Sequence, residues 1–295
     1  MKVFVTGGTG FLGRAIIAQL SAEKHKVRAL IHRTNPFENS SNIETVVGNT
    51  TKSETLEGLL SGYDAVIHLV GIIREFPRRG ITFDKLHTQS TANILRAAET
   101  QGVQRYIQMS ANGTRENAVT EYHRTKWAAE QLVRQSKLDW TILQPSLVFG
   151  PQDMFVNMLA QLIKALPVVP VMGHGQYQLQ PVHIEDVARS FVMALDKSET
   201  VGKTYPCCGP QAYSYDEILD LIGSALGLSR VRKLHQPLCL MKPIVGFLQS
   251  IPLFPMTHDQ LQMLLEGNTC QDNSWSTDFG LALKNFKEGI EEYLK

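Results

Sequence analysis

Apolar positions in the first half of the chain switch repeatedly between the period of a strand and that of a helix. Val3, Phe4 and Val5 read as a strand, and Phe11, Leu12, Ala15, Ile16, Ile17 and Leu20 then recur at helical spacing. A second strand is predicted over 26–31, a third near 45–47, a short helix around 53–60 and a fourth strand in Ala65-Val66-Ile67-His68-Leu69-Val70. That last run is apolar on both faces, as suits a parallel strand covered by helices. A helix over 83–101, a strand over 105–109, a helix over 121–136 and a strand over 140–143 continue the alternation. Six strands alternating with helices predict an α/β fold, a Rossmann-type doubly wound parallel sheet.

Beyond Pro145 the rhythm loosens. Pro167, Pro170, Gly173, Gly175 and Pro181 punctuate short segments before an amphipathic helix resumes over 184–195, with further helices expected at 215–226, 258–266 and 285–294. The expected division is a dinucleotide-binding domain over 1–150 and a smaller α/β lobe over 151–295. The two are expected to form one folding unit with a substrate cleft between them, and some segments of the second are expected to return to the sheet.

Composition changes this picture little. With 295 residues, 43% hydrophobic, 19% charged and a formal charge of +1, the chain has material for a large core and no electrostatic grip on nucleic acid. The sequence enters its first strand without a basic leader or apolar signal core, which predicts a cytoplasmic protein. Cys207, Cys208, Cys239 and Cys270 lack C-x-x-C spacing and are expected to be buried free thiols. His183, His235 and His258 lack metal-ligand spacing, so no metal is expected.

The turn between the first strand and helix carries the first chemistry. Gly8-x-Gly10-x-x-Gly13 fits a dinucleotide fingerprint: glycines permit the tight turn, close approach of backbone to pyrophosphate and close helix packing. Gly7, Thr9, Gly10, Phe11, Leu12 and Gly13 are therefore candidate cofactor contacts. At the end of the second strand stand His32 and Arg33, where an NAD-type fingerprint has an acid for the ribose hydroxyls. A guanidinium binds a 2′-phosphate that an acid would repel, so NADP(H) is favoured over NAD(H). Leu69, Val70 and Gly71 close the fourth strand at the sheet edge where ligands bind.

Tyr122 and Lys126 are four residues apart on one face of a predicted helix. A cation beside a phenol favours the phenolate, so Tyr122 is the candidate acid/base, and Lys126 its modulator and a partner for the nicotinamide ribose. Ser110, directly after the fifth strand, is placed to polarise a carbonyl.

These residues resemble the short-chain dehydrogenase/reductase superfamily in its extended or atypical branch, through Thr6-Gly7-x-x-Gly10-x-x-Gly13, Tyr122-x-x-x-Lys126 and the preceding serine. The segments 145–151 and 181–188 are similar to stretches of epimerase/dehydratase-like members, which implies Pro145 and Val148 as further cofactor contacts. The resemblance covers about the first 195 residues well. Two cofactor-lining positions depart from it: His87 stands where an asparagine is common, and Asn49 where an acid is common. The family's proton relay and adenine contact thus lack their usual residues. The stretch 83–90 resembles the atypical group related to the NAD(P)H-binding accessory subunit of respiratory complex I.

Three functions follow as expectations. The first is an NADP-dependent oxidoreductase acting on a carbonyl or alcohol. The second is a non-catalytic NADPH-binding subunit or assembly factor of a respiratory or membrane complex, and the third a nucleotide-sugar epimerase or dehydratase, for which Arg189, Arg230 and Arg232 are the nameable candidates. The stretch 237–257 is rich in Leu, Ile, Phe and Met but broken by Lys242, Pro237, Pro243, Pro252 and Pro255, too interrupted to span a bilayer. It reads as a lid or core segment in preference to a surface for a membrane face or protein partner.

Overall fold

The computed structural model describes residues 1–32, 37, 42–248 and 256–294. In chain order the strands are β1 (Lys2–Thr6), β2 (Lys26–Ile31), β3 (Ile43–Val47), β4 (Ala65–His68), β5 (Arg105–Met109), β6 (Asp139–Pro145), β7 (Val148–Phe149), β8 (Val169–Met172), β9 (Gln178–Leu179), β10 (Val182–His183), β11 (Lys203–Cys207), β12 (Tyr213–Ser214) and β13 (Lys233–Gln236). The helices are α1 (Phe11–Ala22), α2 (Ser90–Thr100), α3 (Glu121–Gln135), α4 (Phe155–Ala165), α5 (Ile184–Asp196), α6 (Tyr215–Ala225), α7 (Leu238–Leu248), α8 (His258–Glu266), α9 (Ser274–Phe279) and α10 (Phe286–Glu291).

Two compact units divide the chain, Met1–Pro145 with Glu185–Pro206 and Ser146–Ile184 with Cys207–Lys295. The first is built on a seven-stranded sheet of order β11-β6-β5-β4-β1-β2-β3. Pairings among β1 to β6 are parallel, for instance Val3↔Val27, Val3↔Ala65 and Arg105↔Asp139. β4 reads Ala65-Val66-Ile67-His68 and is buried throughout, as its continuous apolar run requires. Phe4, Val66, Tyr106 and Ile142 pack with Ile94, Leu95 and Ala98 of α2 to form the core on one sheet face.

The position of the seventh strand was not predicted. Pro206 breaks the look of a strand in Lys203-Thr204-Tyr205-Pro206-Cys207, yet β11 lies at the sheet edge, where a proline's missing N–H costs no ladder bond. Buried Arg105 secures this side. It donates to the carbonyls of Asp139 and Ala194 and to the hydroxyls of Thr141 and Thr200, stitching β5 and β6 to the end of α5 and the turn that follows. The predicted helix over 83–101 also differs, because its first part, Asp84–Gln89, is a π-helical turn that passes into α2. The helix expected around 53–60 is a short 3₁₀ turn at Ser53–Leu56.

The second unit holds three two-stranded pairings: β7 with β10, β9 with β12 and β8 with β13. Its core joins Val156, Leu159, Ala160 and Ile163 of α4 to Ile218, Leu219 and Ile222 of α6 and Phe286 and Ile290 of α10. Helix α4 was missed between the prolines, although those four apolar residues follow helical spacing.

Two expectations are corrected here. Cys208 and Cys270 form a disulfide with a Cα separation of 5.9 Å, and Cys239 is exposed, so Cys207 alone is a buried free thiol. The pairing arises from Gln180: its amide N–H donates to Asn268, its side-chain oxygen accepts from the Cys270 amide, and its side-chain nitrogen donates to the Gly209 carbonyl. Residues 62 apart are thus brought side by side, which spacing does not announce. The second correction concerns 237–257. Its described part forms α7, with Val245 buried but Leu240, Ile244 and Phe247 exposed, so this face is not core. Pro243 sits inside the helix and is itself exposed. Residues 249–255 lie outside the described residues.

Candidate functional site

The glycine turn needs its glycines for measurable reasons. Gly7 has φ +72°, and a Cβ there would lie 2.8 Å from the Leu69 carbonyl carbon and 3.0 Å from the Val70 nitrogen. On Gly13, a Cβ would come within 2.3 Å of the Gly7 oxygen. The turn is thereby locked to the end of β4 and to the start of α1. Gly10 caps α1 without a side-chain hydrogen bond, and the first turn of the helix carries no acid. The N–H groups of Phe11, Leu12 and Gly13 have no preceding turn to bond and present the positive end of the helix dipole. This cradle fits a pyrophosphate. Thr9 takes part through its carbonyl, which accepts from Arg14 Nε at 3.0 Å.

Gly71 joins the turn to the helical part of the site. A Cβ at this position would stand 2.9 Å from Lys126 Nζ and 3.5 Å from His87 Nε2, so the end of β4, the π-helical turn and α3 converge on a position that a side chain would block. Leu69 is buried, and its amide continues the ladder to the Thr6 carbonyl.

Helix α3 is capped by Thr120, whose hydroxyl accepts from the His123 amide and shares a 3.1 Å hydrogen bond with His123 Nδ1. Further along, fully buried Glu130 accepts from Gln144 at 2.7 Å and from Arg134 at 2.8 Å, fixing the helix to β6. Between these anchors lie Tyr122 and Lys126. Tyr122 packs edge-on against Phe83, His87 and His123, at centroid separations of 5.7, 5.3 and 5.2 Å. Burial pushes its hydroxyl up to about 12. Lys126 is buried and donates to the Met109 carbonyl at 3.3 Å. Burial lowers its ammonium to about 8, opposed by the charge of Glu130.

His87 is held from three sides. Its ring stacks on Phe83 at 5.4 Å, its Nδ1 lies 2.9 Å from Thr125 Oγ1, and its Nε2 lies 3.2 Å from the Ile72 nitrogen and 3.1 Å from the Ile72 oxygen. Thr125 also donates to the Glu121 carbonyl at 2.9 Å. With the threonine proton so used, Nδ1–H donates to Thr125 and Nε2 accepts from the Ile72 amide; in the other tautomer Nε2–H donates to the Ile72 carbonyl and Nδ1 accepts from Thr125. Burial, with the Lys126 charge adding to it, lowers His87 to about 2, and it is neutral. His68, one strand residue from the edge, shares a 2.6 Å hydrogen bond with Thr6 Oγ1 and a 3.4 Å one with Ser90 Oγ. Burial and then the Lys126 charge bring it to about 3.

The remaining predicted residues divide. Ser110 is buried beside Met109, with its amide on the Leu143 carbonyl and its hydroxyl 3.4 Å from Thr114 Oγ1. Pro145 ends β6 and accepts from the Asn112 amide. Asn49 folds on itself, accepting from the Thr51 amide and hydroxyl at 2.9 Å each. His32 is exposed just past β2, and Arg33 lies outside the described residues. Val148 belongs to the second unit, paired with Val182. Thr125, Phe83 and the Thr6–His68–Ser90 chain were not singled out from the sequence. Thr125 was nonetheless signalled by its place between Tyr122 and Lys126.

The profile of the NAD dependent epimerase/dehydratase family matches residues 3–208. The chain belongs to this family. Family members bind an NAD(P) nucleotide, in keeping with the glycine cradle. Among curated relatives, "NADH dehydrogenase [ubiquinone] 1 alpha subcomplex subunit 9, mitochondrial" of Arabidopsis thaliana is 27% identical over 95% of this chain and 72% of its own length. The Photosystem II assembly factor Ycf39 of a Synechocystis strain is 30% identical over 75% and 66%, and a ceramide reductase of Caulobacter vibrioides 30% over 64% and 59%. The fold is that of MoeE5 in complex with UDP-glucose and NAD, with a TM-score of 0.78 at 19% identity over 100% of this chain and 97% of that one. Among the described residues, no helix is long and apolar enough to cross a membrane.

Proposed function

We propose that the chain is an NADP(H)-dependent oxidoreductase acting on a carbonyl or alcohol, with Tyr122 as acid/base, Lys126 as its cationic neighbour and Ser110 orienting the substrate oxygen. The observation that carries this reading is the convergence at Gly71, where Lys126 Nζ meets the end of β4 one helical turn from Tyr122. Gly7, Gly10 and Gly13 leave room for the pyrophosphate. Lys126 is positioned to bond a ribose hydroxyl, and His87 keeps the wall of the site neutral. A bound nicotinamide would supply the hydride on reduction and accept it on oxidation. Tyr122 then gives the substrate oxygen its proton on reduction, or takes it on oxidation, and the positive end of α3 favours the phenolate. Arg33 and His32 are the candidates for a 2′-phosphate.

A second reading is favoured by the surroundings of Tyr122. Its aromatic enclosure holds the phenol protonated, and the relatives named for complex I and for photosystem assembly supply a precedent for partners. In that reading the dinucleotide stabilises a subunit or assembly factor that performs no turnover. Titration of the protein with NADPH and NADH, followed by assay of Tyr122→Phe, tests both. The enzyme reading expects tighter NADPH binding, retained by Tyr122→Phe, with turnover falling by about 10²–10⁴-fold. A cofactor-dependent rise in melting temperature without turnover on any carbonyl tried would favour the second.

A further inference from the structure

We propose that the exposed face of α7, with the basic segment leading into β13, is a docking surface for an anionic lipid bilayer. The helix holds its buried side with Val245, while Leu240 (58% exposed), Pro243, Ile244 (45%) and Phe247 (83%) lie on the other. Their spacing of i, i+3, i+4 and i+7 confines them to about 100° of arc, one stripe along the helix. Phe247 is the most exposed large apolar side chain among the described residues, and Leu234 and Leu228, also exposed, precede the helix in β13 and in the turn after α6.

Charge selects the occupant. From 221 to 258 the sequence contains no aspartate or glutamate, but four basic residues, Arg230, Arg232, Lys233 and Lys242. The acids that flank the stretch are engaged: Asp220 accepts from Lys233 at 2.6 Å, Asp216 lies 3.0 Å from His235 Nε2, and Asp259 in the first turn of α8 has a partner of its own. Arg230 and Arg232 remain exposed, just ahead of β13 in the segment that leads to the apolar stripe. An apolar face with basic flanks and no acid matches the interface of an anionic membrane, where rings and aliphatic chains enter the acyl boundary and guanidinium groups meet headgroup phosphates. It does not match an acid-bearing protein groove alone, which would leave the stripe in water, nor a second copy, which would bring its own arginines against these.

Flotation of the full chain with phosphatidylcholine vesicles, with and without phosphatidylglycerol, tests this. The protein should float with the anionic vesicles and much less with the neutral ones, and added salt should weaken the binding. Leu240→Ser, Ile244→Ser and Phe247→Ser combined should reduce it at least about tenfold. Arg230→Gln and Arg232→Gln should each cost about fivefold on anionic vesicles and nothing on neutral ones. Because the replaced side chains are exposed, melting temperature and dinucleotide affinity should be unchanged. No flotation of the parent protein, or equal flotation of the serine variant, overturns the proposal; so does self-association abolished by the serine variant without vesicle binding.

Discussion

The glycine turn and the first turns of α3 serve the same sheet edge by opposite means. At the turn, Gly7, Gly10 and Gly13 remove side chains so that backbone can meet backbone, and a single added carbon at Gly13 would collide with the Gly7 oxygen. At α3, bulky and ionisable groups are packed in: Lys126, His87 and His68 are buried together, and each pays in a depressed proton affinity. The first requirement is steric and indifferent to pH. The second is electrostatic, so solution conditions reach it directly.

The largest expected effect is acid instability. His68 and His87 titrate at about 3 and about 2 in the folded chain, against 6.5 when unfolded, so above 6.5 neither state carries the extra proton. As pH falls below 6.5 the unfolded chain gains up to two protons that the folded chain refuses, and stability is lost by about 1.4 kcal/mol per pH unit for each histidine. Urea unfolding at a series of pH values should show this slope, and His68→Asn should remove about half of it. An unchanged slope in the variant would mean that carboxylates alone drive acid unfolding.

Next in size is the steric side. Gly13→Ala should cost about 3 kcal/mol, the upper part of the range for overpacking, because the neighbours, the Gly7 oxygen and the Gly8 Cα and carbonyl carbon, are backbone atoms with no rotamer to yield. It should also abolish dinucleotide binding, measured by titration with NADPH. Its loss of stability should be the same at pH 7 and at pH 5. A cost that varied with pH would dissolve the contrast between the two regions.

Much of this contrast was legible in the chain itself. The switch from strand to helix period around Gly7–Gly13 and the four-residue interval between Tyr122 and Lys126 are local patterns, and local geometry preserves them. Position Gly71 was also readable, because a glycine after a doubly buried strand marks the ligand edge. What could not be read was how the site is held. That Thr125 Oγ1 meets His87 Nδ1 depends on a contact across 38 residues. The ring wall around Tyr122 likewise joins Phe83 to α3, and it reverses the simple expectation that Lys126 dominates the phenol: burial does. Edge strand β11 and the Cys208–Cys270 bridge were hidden for the same reason. Proline and cysteine spacing are local signals, whereas an edge position and a pairing over 62 residues are products of the assembled sheet and of Gln180.

The smallest of the three effects has the opposite sign. Lys126 drops from 10.5 to about 8, which corresponds to about 3 kcal/mol of destabilisation while the ammonium is forced to stay charged in the folded chain. Removing the charge with Lys126→Met keeps the length of the side chain but forfeits the bond to the Met109 carbonyl, worth about 1 kcal/mol. The variant should therefore be more stable than the parent by about 2 kcal/mol at pH 7. The unfolded chain holds this proton more tightly than the folded one, so the parent should recover stability as pH rises from about 8 towards 10.5, and the two stability curves should cross, with the parent ahead by about 1 kcal/mol above 10.5. The variant should lose dinucleotide affinity even as it gains stability. A Lys126→Met chain that is less stable than the parent at pH 7 would show that α3 holds its cation for packing, and that the burial of charge at this edge carries no cost exacted for the site.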